Sequence, residues 1–367
     1  MSHSLPIVLR PRLDAKPWGG DRLARFGHVL PGAPEPLGEA LLTHGDAVVA
    51  SGPDEGRRLG DLAAAHPAVW CGSRGLAVTG GALVFPLLVK LIDARADLSL
   101  QLHPNDQIAR AAGEPTGKTE AWRVLAAEPE SVLYLGLVPG VDPARFAAAV
   151  RAGGRDAVAM VRAVPAVAGT TVFLPAGTVH ALGAGVLLYE LQQPSNTTYR
   201  LYDWDRRDAS GQPRPVHLEQ GLAALDPTGQ PEAIPPVPLG EGRPARTALV
   251  ACRRFALERI ALARGETLAL PPIDGPQVAT AFGGAVIIRH VGGALRLGPG
   301  ETAAIPAACA IAIACDAAAP AVVFRSWLPD LLAEIVVPAR AAGAADATIA
   351  RLAAPLDDIW AALAAGA

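Results

Sequence analysis

The sequence is short of several things, and each shortage excludes something. It has only four cysteines in 367 residues, Cys71, Cys252, Cys309 and Cys315. They stand far apart with no C-x-x-C pair, so a zinc ribbon or a thioredoxin-like redox motif is unsupported. Scattered cysteines of this kind read as reduced core residues of a cytosolic protein. No run of about 18 apolar residues occurs, which argues against a spanning helix. The opening stretch MSHSLPIVLRPRL lacks an apolar signal region, so a cytoplasmic location is expected. The formal net charge is −3, so the general basic footprint of a nucleic-acid binder is missing. Lysine is nearly absent: of 32 basic residues, only Lys16, Lys90 and Lys118 are not arginine. What is abundant is apolar residue, 51% of the chain, enough for a sizeable core and far from the composition of a disordered chain. The length suggests about two domains.

Strand-and-turn grammar dominates. Residues 97–103, DLSLQLH, alternate with Leu98, Leu100 and Leu102 on one face and Ser99, Gln101 and His103 on the other, the mark of a half-buried strand. Strands are also predicted in 117–127, 131–138 and 170–206. Residues 142–164 read as two helices broken at Gly153-Gly154, within a helical insertion at about 140–165. A proline-rich stretch, 226–244, reads as a linker or an extended surface crossing. Short apolar runs between glycine and proline turns follow over 245–328, the rhythm of a second small β-barrel or sandwich. The tail, 329–367, has helical amphipathicity with few basic residues on its polar face, so it should pack on the body and not on a membrane.

One constellation carries chemistry. LPAGTVHALG (174–183) contains Pro-x-Gly-x-x-His, a sharp turn before a strand that carries a histidine inward, as in the metal-binding cupin barrels. Gln101 and His103, two apart on a strand, both reach one side of it. Glu120 adds a carboxylate. With His180, this set offers two imidazoles, one carboxylate and one amide. Such ligands suit Zn²⁺ with an open position, and equally Fe²⁺ or Mn²⁺. Isolated histidines are more often structural. His28, His44, His66, His217 and His290 take that reading. Lys118, two residues before Glu120, faces the same side of its strand. It is one of the few lysines in an arginine-rich chain, which fits a need for a compact, deprotonatable group.

The segments KLIDARADLSLQLHPND, GKTEAW and VFLPAGTVHALGAGVLLYELQQPSNTTYRLYDWDR resemble, in order, those of class I mannose-6-phosphate isomerases in their compact bacterial form. KPWGG and Gly38-Glu39 resemble that family's N-terminal signatures. The resemblance implies a mainly β fold of two cupin barrels with helical insertions and a C-terminal helical tail. It implies a catalytic cupin region over 1–225, the linker at 226–244 and a second, metal-free cupin-like barrel over 245–328. It implies one Zn²⁺ per chain on Gln101, His103, Glu120 and His180. Lys118, Glu190 and Arg200 would be catalytic, and Ser99 and Arg206 would bind a small sugar phosphate. The implied reaction interconverts mannose 6-phosphate and fructose 6-phosphate through an enediol(ate). A membrane or nucleic-acid partner is not expected. Ala121 follows Glu120 where relatives often have Cys, and ACRRFALERI (251–260) is more basic than the family strand it matches. Two other readings use the same ligands: a facial-triad cupin dioxygenase and a non-catalytic sugar-binding cupin. Gln101 and Lys118 speak against the first, and the complete set with Arg200 against the second. A bifunctional guanylyltransferase is unsupported, since no glycine-rich nucleotide loop is present.

Overall fold

A computed structural model of the chain describes residues 4–207, 211–316 and 319–366. It is mainly β and strictly antiparallel within its four sheets. A six-stranded sheet runs in the order Thr171–Leu174, Glu120–Ala127, Val186–Gln192, Leu88–Ala94, Arg12–Gly20, Leu37–Leu41. A five-stranded sheet runs Tyr199–Tyr202, Leu100–Leu102, His180–Leu182, Val132–Leu137, Val161–Pro165. The remaining two sheets, of eight and four strands, are built mostly from residues 237–327. Period-2 side-chain alternation explains how one strand serves two environments. On Val186–Gln192, Glu190 faces one way, while Tyr189 and Leu191 enter the apolar cluster shared with Phe255, Phe324 and Trp327 of the C-terminal half. Tyr189 packs edge-on to Phe324 with ring centroids 5.2 Å apart, and its hydroxyl meets Ser326 Oγ at 3.1 Å.

Several segments differ from the sequence expectation. The helical reading of 142–164 holds only for Pro143–Arg151 and Arg155–Val158. Val161–Pro165 is a strand paired with Val132–Leu137. An open edge beside β-branched Val161 and Val164 outweighs the weak helical periodicity there. The proline-rich stretch is packed: Leu239 is buried, and Val237–Pro238 pairs with Ala248 and Thr247. The N-terminal strand, Ile7–Arg10, pairs with Thr302–Ile305 and with Val48–Val49, in the sheet of the C-terminal half. The 1–225 region therefore does not keep all its strands to itself. After Pro329 come a π-helical turn, Leu331–Val336, and short helices Val337–Ala341, Asp346–Ala350 and Asp358–Ala365.

Candidate active site

Strand register assembles the site in two rows. In the five-stranded sheet Arg200, Gln101 and His180 are successive cross-strand partners. In the six-stranded sheet Lys90 opposes Glu190, and Glu190 opposes Trp122. The rows share one cavity of about 420 Å³, whose wall includes Ser99, Gln101, Lys118, Trp122, Arg200 and Arg214. All three lysines of the chain, Lys16, Lys90 and Lys118, line it.

Beneath the wall, His103, Glu120 and His180 are buried and bring one donor atom each within 4.8 Å of one another. The lining residues Lys118, Gln101 and Trp122 touch them. Each imidazole is oriented by its backbone. His103 Nδ1 pairs with Thr197 O at 2.8 Å and His180 Nδ1 with Thr178 O at 2.9 Å, which turns both Nε2 atoms inward. Glu120 Oε2 stands 3.4 Å from His103 Nε2, and Oε1 stands 3.3 Å from His180 Nε2. Glu120 Oε1 is buried with no hydrogen-bond donor among the described residues. Gln101 donates its amide toward His180 Nε2 at 3.5 Å and accepts from Ser99 Oγ at 3.0 Å. The Pro-x-Gly-x-x-His turn does what its sequence suggests. Gly177 has φ 89°, a region costly for other residues, and its N–H donates to the carbonyl of His103 at 2.8 Å.

Converging, backbone-anchored Nε2 atoms and an orphaned carboxylate oxygen fit a dication. The protonation states agree. Burial and the Lys118 charge push His180 down to about 4 and His103 well below its ordinary value, so both are neutral near pH 7. Burial pushes Glu120 up, to about 7, against the pull of Lys118. Burial works the same way on Glu190, but Lys118, Lys90 and the Trp122 indole N–H hold it down at about 2. The two neighbouring carboxyls differ although both feel Lys118 and Lys90: the charge of Glu190 adds to burial in raising Glu120, while Glu190 also accepts from the Trp122 indole N–H.

Lys118 Nζ lies 2.5 Å from Glu120 Oε2 and 2.9 Å from His103 Nε2, at the boundary between triad and cavity. Lys90, which the sequence reading leaves unassigned, lies 3.2 Å from Glu190 Oε1, close enough for ion pairing. Burial disfavours its charge, but the carboxylates of Glu190, Glu39 and Glu120 raise its pKa above the ordinary value. The one signal for it was the rarity of lysine. Arg200 lines the cavity and donates to Pro215 O at 2.8 Å, while its buried Nε finds no partner among the described residues. Arg206 is turned to Asp203, 2.8 Å away, and among the described residues Arg214 is the one that reaches the wall in its stead. Arg214 is held by a two-pronged contact to Asp203, with Nε to Oδ2 at 2.6 Å and Nη2 to Oδ1 at 2.5 Å.

No protein-family model matches the sequence. Individual relatives do. The chain is 34% identical over 257 residues to the mannose-6-phosphate isomerase of Streptococcus mutans, covering 69% of this chain and 77% of that protein. It is 35% identical over 233 residues to mannose-6-phosphate isomerase ManA of Bacillus subtilis, covering 62% and 70%. The structure is similar to the crystal structure of the mannose 6-phosphate isomerase from Bacillus subtilis, with TM-score 0.74 and 25% identity over 88% of this chain and 99% of that one.

Proposed function

This chain belongs to the mannose-6-phosphate isomerase family, and on that premise we propose how its own residues carry the reaction. The protein is a metal-dependent aldose-ketose isomerase that interconverts mannose 6-phosphate and fructose 6-phosphate through an enediol(ate). The observation that carries this reading is the buried His103–Glu120–His180 triad directly beneath a cavity lined by the chain's three lysines.

His103, Glu120 and His180 hold the dication, and Gln101 adds its Oε1 once the amide is turned over. Zn²⁺ suits two neutral imidazoles, one carboxylate and one amide with a position left open. When bound, the ion supplies Lewis-acid stabilisation of the negative charge that develops on the sugar's C1 and C2 oxygens. The protein must then move a proton from C2 to C1. Lys118 is placed for that shuttle, because its amine stands between the triad and the cavity. Glu190 stays ionised and, with Lys90, fixes the charge balance of the wall facing the sugar. Arg200 directs an always-charged guanidinium at the same space and orients the substrate oxygens. Ser99 and Arg214 take the phosphate, because Asp203 holds the Arg214 fork in a fixed plane. Arg206 supports that clamp from behind.

The sheet pairs fit two cupin barrels, a catalytic one and a metal-free one over 245–328, joined by the packed 226–244 segment, with the 329–367 helices as a tail. Among the described residues no helix is long and apolar enough to cross a membrane, and four buried free cysteines suit a reducing cytoplasm. The test is a coupled assay that follows fructose 6-phosphate from mannose 6-phosphate, with unphosphorylated mannose as comparison. Turnover confined to the phosphorylated sugar and indifferent to O₂ is expected. A requirement for O₂ points to dioxygenase chemistry, and binding without turnover points to a non-catalytic cupin.

A further inference from the structure

Among the described residues, the cavity wall is drawn entirely from the N-terminal 214 positions. A side chain of the C-terminal half nevertheless reaches the carboxylate that holds the backbone carrying Lys118. Arg254 lies in the turn between strands Ala245–Cys252 and Phe255–Leu262. Its Nη2 donates to Asp106 Oδ2 at 2.7 Å. The other oxygen of Asp106 accepts from Gly117 N and from Gln193 Nε2, each at 2.9 Å. Gln193 Oε1 in turn accepts from Thr119 N at 3.0 Å, and Gln193 N donates to Thr119 O at 3.1 Å. Lys118 N donates to Pro104 O at 3.0 Å. Every amide of Gly117-Lys118-Thr119 is therefore spoken for, two of them through the Asp106–Gln193 pair. The segment is also pressed close: a Cβ on Gly117 would stand 2.5 Å from the carbonyl carbon of Asn105.

We propose that Arg254 is a positioning residue for Lys118, acting across the two halves through Asp106. Asp106 is not needed as a helix cap, since Asn105 caps that helix by accepting from Ile108 N at 2.9 Å. Its carboxylate instead gathers two neutral donors on one oxygen and a cation on the other. Charge-assisted bonds are shorter and stronger than neutral ones, so Arg254 fixes the carboxylate that fixes the 117–119 backbone. The C-terminal half thereby has a part in catalysis without touching substrate. The inference rests on the isomerase reading, in which Lys118 carries the proton.

The test uses the full-length, zinc-loaded protein. Arg254→Ala should lower kcat for mannose 6-phosphate about tenfold, since ångström-scale misplacement of a reacting group costs rate. KM should stay within about twofold, and metal content should be unchanged. Hydrogen–deuterium exchange at amides 117–119 should quicken. Arg254→Lys keeps a cation for the single Nη2–Oδ2 contact and should restore most of kcat. Arg254→Ala combined with Asp106→Asn should fall no further than Asp106→Asn alone, because both act on one chain of contacts. Wild-type kcat and unchanged exchange in Arg254→Ala overturn the proposal. So does a loss that appears as lower metal content or melting temperature and is not rescued by lysine. Absence of turnover in the unsubstituted enzyme overturns the isomerase reading and this inference with it.

Discussion

Replacing Lys90 by methionine keeps the length of the side chain and removes its charge. Lys90 Nζ is 3.2 Å from Glu190 Oε1, and the two side chains are only 8% and 4% exposed. Removing one partner of a buried pair costs about 3–5 kcal/mol, because the other charge stays desolvated. Glu190 keeps the Trp122 indole N–H at 3.0 Å, so the lower end, about 3 kcal/mol, is expected for Lys90→Met. In a chain of this size that is roughly a 4 °C loss in melting temperature. The double variant, Lys90→Met with Glu190→Met, has no charge left to strand. It should return to within about 1 kcal/mol of the parent, as apolar replacements of buried pairs do. Isomerase turnover should be lost in both. Chemical denaturation and the coupled assay on the three proteins separate these effects. A single variant as stable as the parent, or a double variant no more stable than the single, would refute the reasoning that the pair is kept for chemistry at a cost in stability.

His103→Ala and His180→Ala should each lose stoichiometric metal, read by elemental analysis, while circular dichroism stays near that of the parent; full occupancy in both would sink the ligand assignment. Arg200→Lys keeps charge but loses the planar fork, and kcat/KM should fall roughly 10²-fold with metal content unchanged. Near-normal turnover with full zinc would make Arg200 structural. In the metal-free protein, unfolded imidazoles take up protons near pH 6.5, while burial and the Lys118 charge hold folded His180 neutral down to about 4 and hold folded His103 well below its ordinary value. Glu120, raised to about 7, works in the opposite sense between 7 and its unfolded value of about 4.5. Two imidazoles outweigh one carboxyl, so melting temperature should drop as pH falls from about 6.5 to 4. A flat or rising profile there contradicts the burial of neutral histidines.

The pieces of the site legible in the sequence were those whose geometry is local. Gln101-x-His103 and Lys118-x-Glu120 owe their common orientation to strand alternation. The turn at 174–180 owes its sharpness to Gly177. Lys90 escaped notice because LVFPLLVKLID is an apolar run, and the residue that explains its charge, Glu190, is brought opposite only by antiparallel register. Arg206 ends the recognisable motif and Arg214 has no comparable signal in the sequence; Asp203 engages both, and Arg214 is the one of the two that lines the cavity. The strand at 161–165 was hidden for a related reason: its partner edge lies about thirty residues upstream, and its own pattern is too short to decide against a helix. The placement of Ile7–Arg10 beside Thr302–Ile305 has no local signal at all.

The claim on which everything else depends is that the buried triad holds the ion that makes the enzyme work. The direct measurement is mannose 6-phosphate turnover in one preparation taken through chelation, dialysis and titration with Zn²⁺. The account predicts that activity falls to background on chelation and returns in proportion to bound zinc, reaching its plateau at one ion per chain. Activity that survives complete removal of metal, or a plateau reached only at two, would contradict it.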